Sequence, residues 1–122
     1  MVGGLMEVIL YVGDMDEAVR FYRDKLGLKV AFPQCDDFRS EYWVVFETGA
    51  CKLCLHGGGE RRQGPDAAKV VFRVDDIEAA RAQLLERGVA LSEILEPSPG
   101  VRVCNGRDPA GNPISIESSS PH

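Results

Sequence analysis

No apolar run in this sequence is long enough to cross a membrane. The longest, Val8–Val12 and Tyr42–Phe46, are five residues each, against the roughly 20 a spanning helix needs. The opening MVGGLMEV has neither the basic nor the apolar stretch of a secretory signal. A cytoplasmic location is therefore expected, with Cys35, Cys51, Cys54 and Cys104 as free thiols rather than a disulfide scaffold. Positive charge is the minority sign, 14 Lys and Arg against 19 Asp and Glu for a net charge of −5. That balance argues against nucleic acid and against anionic membrane surfaces as partners. The glycine-rich HGGGERRQG lacks the GK[ST] ending of a phosphate loop, and no G-x-S-x-G nucleophile motif occurs.

What is present is a soluble balance, 44% hydrophobic and 27% charged over 122 residues, enough for one domain spanning 1–122. Within it the chain repeats itself. EVILYVGDMDEAVRFY (Glu7–Tyr22) aligns without a gap on KVVFRVDDIEAARAQL (Lys69–Leu84), an offset of 62 residues. Val8, Val12, Asp14 and Ala18 meet identical residues at Val70, Val74, Asp76 and Ala80. Each copy opens with a period-2 strand, then an aspartate at a helix N-cap position. The first helix carries an apolar face of Met15, Ala18, Val19, Tyr22 and Leu26. Gly27 and Gly88 stand where a helix stops in the left-handed region. Three further strands are expected per copy: Leu28–Phe32, Glu41–Phe46 and Cys51–His56, then Ala90–Leu95, Val101–Asn105 and Pro113–Glu117. The modules run over about 4–56 and 67–119, with a polar, glycine-rich linker over about 57–66.

Two segments, VILYVGDMDEAVRFYRDKLGLKV and VRVCNGRDPAGNPISIE, carry a resemblance to the vicinal-oxygen-chelate superfamily of glyoxalases, bleomycin-resistance proteins and extradiol dioxygenases. The second contains the DP-x-GN turn and final strand common in that group. The resemblance implies an α+β fold of two tandem βαβββ modules, whose curved mixed sheets form a cup. It also implies a homodimer and, in metal-dependent members, His, Glu or Gln ligands projecting from the first and last strands of each module.

On the first strands, alternation sends Val8, Leu10 and Val12 toward the helix, leaving Glu7, Ile9 and Tyr11 for the cup; the offset places Lys69, Val71 and Arg73 likewise. On the last strands Leu53, Leu55, Ile114 and Ile116 pack under helices, leaving Lys52, Cys54 and His56 opposite Pro113, Ser115 and Glu117. Cys51 and Cys54, three apart on a strand, then point to opposite faces, which argues against a C-x-x-C metal or redox motif.

The positions that match the family's ligands are Glu7, Cys54, Lys69 and Ser115. A lysine ammonium offers no lone pair to a metal, so the expected site is metal-free, with Lys69 and Glu7 as its charged catalytic candidates. The alternative is a shifted zinc, nickel, manganese or iron site on Glu7, His56 and Glu117. An iron dioxygenase triad would need a second histidine, and only His122 remains. Tyr11, Trp43, Cys54, His56, Arg73, Arg102, Ser115 and Glu117 are candidate ligand-binding residues. Arg102 would serve as a clamp for a carboxylate or phosphate, and either Tyr42 or Trp43 could stack a planar ligand.

Two kinds of function remain open. One is a bleomycin-resistance-like protein that sequesters a small molecule, or acts on it without a metal. The other is a metal-dependent glyoxalase-like lyase, isomerase or transferase.

Overall fold

Alternating apolar residues open both halves of the chain as strands, β1 (Glu7–Tyr11) and β5 (Val70–Arg73). The structure, a computed structural model, describes residues 1, 3–60, 64 and 66–119; His122 and part of the linker lie outside the described residues. The chain divides into two units, Met1–Arg62 and Gln63–His122. In the first, β1 is followed by α1 (Met15–Val19), a π-helical continuation (Arg20–Lys25), β2 (Lys29–Phe32), β3 (Trp43–Glu47) and β4 (Lys52–His56). In the second, β5 is followed by α2 (Ile77–Glu86), β6 (Leu95–Ser98), β7 (Val101–Arg107) and β8 (Pro113–Ser119). The sheets run β1-β4-β3-β2 and β5-β8-β7-β6. β1 pairs in parallel with β4, as β5 does with β8, and the remaining neighbours are antiparallel. This is α+β architecture, βαβββ twice over. Among the described residues no helix is long and apolar enough to cross a membrane.

Both helices start as their sequences dictate. The Asp14 carboxylate accepts the Glu17 N–H at 3.0 Å and the Asp76 carboxylate accepts the Ala79 N–H at 3.1 Å, satisfying donors that a helix start leaves open. Gly27 and Gly88 end the helices at φ 80° and 83°. The core of the first unit gathers Met15, Ala18, Val19 and Tyr22 with Val44, Phe46, Leu53 and Leu55, all buried. In the second unit Ile77 and Leu84 are buried, as are Cys104, Ile114 and Ile116 on the strands.

One helix departs from the 3.6 periodicity. Asp14 to Gly27 is one residue longer than Asp76 to Gly88, and the surplus is taken up by the π-helical turn, where the Leu26 N–H reaches back five residues to the Phe21 carbonyl at 3.0 Å. The widened turn also buries Phe21 beside Tyr22, their rings edge to face at 5.1 Å. A strict 3.6-residue stripe omits Phe21.

The expected strand over Ala90–Leu95 is displaced: β6 forms at Leu95–Ser98, and Leu91 makes only an isolated bridge to Gly106. The cause is a side chain. Ser92 Oγ accepts the Asn105 N–H at 2.9 Å, while the Ser92 N–H donates to the Asn105 carbonyl at 2.8 Å, so a hydroxyl replaces one rung of the ladder. Pro97 is tolerated in β6 because that strand lies at the sheet edge.

Candidate functional site

Register decides which side chains share a face. In the first unit Ile9 pairs with Cys54 and Tyr11 with His56, while Trp43 faces His56 and Val45 faces Cys54 across β3 and β4. The helix-free face of this sheet therefore presents Glu7, Ile9, Tyr11, Trp43, Val45, Cys54 and His56. Three rings cluster on it. The His56 ring lies 4.9 Å from that of Tyr11 and 6.3 Å from that of Trp43, the latter edge to face. His56 Nδ1 is 2.6 Å from the Gly57 carbonyl oxygen. A carbonyl can only accept, so Nδ1 carries a proton, and in the neutral ring the lone pair is on Nε2. Tyr11 remains 54% exposed, which leaves a surface on which a planar molecule can stack. Tyr42 instead lies against Gly57, where an added Cβ would stand 2.9 Å from its ring.

Cys54 stands on the same face, two residues along β4 from His56. It occupies a central strand between Ile9 and Val45 and is fully buried. Its thiol donates to Glu7 Oε2 at 3.3 Å. Burial first, and then the neighbouring Glu7 carboxylate, push the thiol up to about 12. At neutral pH it is an inert, protonated donor.

In the second unit Val71 pairs with Ser115 and Arg73 with Glu117; Asn105 faces Ser115 and Val103 faces Glu117 across β7 and β8. Lys69, Arg73, Ser115 and Glu117 thus share the helix-free face. Ser115 is fully buried and donates to Asn105 Oδ1 at 2.6 Å; the Lys69 ammonium donates to the same oxygen at 3.4 Å. Glu7 belongs to the first unit and Lys69 to the second, and their hydrogen-bond partners within those units are Cys54 and Asn105.

Arg102 does not join this face. Its position in β7 alternates with Asn105, and its guanidinium donates to Glu78 of α2 at 2.8 Å. The arginine expected as a clamp is a tie between sheet and helix. Asn105, which the sequence reading passed over, takes its place beside Ser115. The signal was there in VRVCNGR: Arg102 and Asn105 have opposite parity, so one strand cannot present both to the same side. Among the described residues, no group of three or more His, Cys, Asp or Glu side chains converges to hold a metal ion.

The turn after β7 is built from its own side chains. The buried Asp108 carboxylate accepts the N–H groups of Ala110 and Asn112 at 2.9 and 2.8 Å and the Asn112 side-chain amide at 2.9 Å. Gly111 turns at φ 88°.

Comparison with known proteins supports the fold at full length. A curated relative, the uncharacterized protein YraH of Bacillus subtilis (strain 168), is 29% identical over 92% of this chain and 95% of its own. Among solved structures, TnmS3, an antibiotic binding protein from Streptomyces sp. CB03234, superposes with a TM-score of 0.76 at 23% identity, covering 98% of both chains. Lactoylglutathione lyase from Agrobacterium tumefaciens gives 0.74 at 22% identity, over 95% of this chain and 93% of that one. A family model matches residues 4–116, nearly the whole doubled βαβββ pattern, and by that match the chain belongs to the Glyoxalase/Bleomycin resistance protein/Dioxygenase superfamily.

Proposed function

We propose that this chain binds a small, planar organic molecule and needs no metal to do so, holding it or acting on it through its own side chains. The observation that carries the reading is the ring cluster of Tyr11, Trp43 and His56, part-exposed on the helix-free face of the first sheet. Aromatic surfaces with a few fixed polar groups are what small-molecule sites are made of. Supporting the metal-free part, the four positions that match the family's ligands carry a poor donor set. Lys69 has no lone pair, Glu7 accepts from the Cys54 thiol, and Ser115 is committed to Asn105. TnmS3, similar in fold, is described as antibiotic binding, and sequestration of a drug-like molecule is the proposal's simplest form. A homodimer is proposed with it.

Trp43 is the sole tryptophan, so its fluorescence reports directly on the proposed site. A panel of planar compounds should contain members that quench Trp43 and raise the melting temperature, and Tyr11→Ala should weaken them. A panel that moves neither signal would overturn the reading. Recovery of the ligand unchanged after long incubation separates holding from chemistry.

The competing metal-dependent reading, with ligands Glu7, His56 and Glu117, draws on the lone pair that the neutral His56 ring carries on Nε2. Elemental analysis decides between them: a stoichiometric divalent metal whose removal lowers the melting temperature would replace the metal-free proposal. Size-exclusion chromatography with light scattering tests the dimer.

A further inference from the structure

The second unit carries a groove of about 610 Å³ at the end of its sheet where β5 and β8 begin and β7 ends. Its size falls within the range of small-molecule sites. Ala67, Ala90 and Pro113 supply apolar wall, and the polar side chains lining it are Lys69, Asn105 and Arg107. Among the described residues no carboxylate lines it, although acidic residues outnumber basic ones in the chain as a whole.

Two of the three polar side chains, Lys69 and Arg107, are cations that can only donate. Lys69 and Arg107 have no ion-pair partner among the described residues, whereas Arg20, Arg23, Arg39, Lys52 and Arg102 each face a carboxylate. The Asn105 amide is oriented by its neighbours. Lys69 can only donate, so the atom facing it and Ser115 is the oxygen, and neither bond uses the NH₂. Ser92 brackets the Asn105 backbone from the other side. Arg107 is also held: one arm donates to the Gly111 carbonyl at 2.8 Å, and Gly111 belongs to the turn locked by Asp108. Among the described residues its side chain has no hydrogen-bond partner besides that carbonyl.

From this we infer that the groove is an oxyanion site. It takes a small molecule bearing a carboxylate or phosphate, whose oxygens accept from Lys69, the Asn105 side-chain amide and Arg107. Charge-assisted donors suit such a group and repel a cation. The inference rests on the small-molecule reading above and adds the chemical class of one ligand group; it does not depend on the ring cluster of the first unit.

The test is a ¹⁵N spectrum of the full chain titrated separately with inorganic phosphate and with succinate, against sodium chloride at matched ionic strength. Saturable shifts of the Asn105 side-chain amide and of the Gly106 and Arg107 backbone amides are expected with at least one of the two. Phosphate alone points to a phosphorylated ligand, succinate alone to a carboxylate, and both to a site that reads oxyanions generally. Lys69→Met and Arg107→Met should each weaken binding at least about tenfold. Arg39→Met, which removes a charge of the first unit that is already paired with Asp37, should leave it unchanged. If either methionine variant loses its dispersed spectrum, Lys69→Gln and Arg107→Gln replace it. Shifts no larger than those in chloride, or shifts that survive both substitutions, overturn the inference. A protein that quenches Trp43 with planar compounds yet ignores both anions loses this inference and keeps the proposed function. One that binds the anions but no planar compound does the reverse.

Discussion

The two units share a backbone plan and almost none of their chemistry. At matched positions on the helix-free faces, Ile9 and Tyr11 of the first stand where Val71 and Arg73 stand in the second, Cys54 and His56 where Ser115 and Glu117 stand, and Trp43 and Val45 where Val103 and Asn105 stand. The first face is apolar and ring-rich, the second polar and donor-rich. On the opposite faces the residues stay alike, Leu53 and Leu55 matching Ile114 and Ile116. Burial under a helix limits what a position can be, while the other face is left to vary with its ligand.

The contrast can be broken first in the cores. Phe46 and Gly106 hold matching places opposite Leu53 and Ile114. In one unit a ring fills the space; in the other the chain at Ala90 and Leu91 does, within 2.9 and 3.0 Å of where a Gly106 Cβ would sit. Phe46→Ala should cost about 3–5 kcal/mol by leaving a cavity, and Gly106→Ala about 1–3 kcal/mol by crowding backbone. Urea denaturation measures both. Similar costs would mean that the two cores are filled in the same way.

A second contrast is titratable. Cys54 in the native state keeps its proton to about 12, against the ordinary 9.0 of the unfolded chain. Between those values the unfolded state has lost a proton that the native state retains. Stability from this group is therefore complete below pH 9 and falls as pH rises toward 12, by on the order of a few kcal/mol. Burial also raises Cys104 in the second unit, opposed by Arg81 and Arg102. Cys54→Ala should then flatten the alkaline limb of a stability–pH profile more than Cys104→Ala does. The reverse order would place the alkaline weakness in the second unit.

Exchanging one residue tests the polar face. Asn105→Val, which copies Val45, removes the acceptor of the buried Ser115 hydroxyl and should cost about 1–3 kcal/mol; Val45→Asn will not create the same network opposite Cys54. The smallest effect concerns what the units share. Asp14→Ala and Asp76→Ala should each cost about 1 kcal/mol, and equal midpoint shifts would show that the two caps do equal work.

Much of this was legible beforehand because it rests on short-range rules. The repeat, the aspartate caps, Gly27 and Gly88, and the buried leucines and isoleucines of β4 and β8 all follow from period and local backbone need. What escaped depended on partners distant in sequence. β6 moved because Ser92 supplies a hydroxyl to Asn105, thirteen residues away, and a proline at the edge did not exclude a strand. Arg102 has the right chemistry for a clamp, but the parity of β7 puts it on the opposite side from Asn105, beside Glu78. Phe21 was missed because a 3.6 period has no place for a π turn.

That turn has a wider consequence. One extra residue in an ordinary helix would swing everything after it by about 100°, and the strand that follows would enter its sheet facing the wrong way. Here the surplus is spent within Arg20–Lys25, and Gly27 still ends the helix as Gly88 does. The helix works as an expansion joint, so one half of a duplicated chain can gain or lose a residue while its sheet keeps its register.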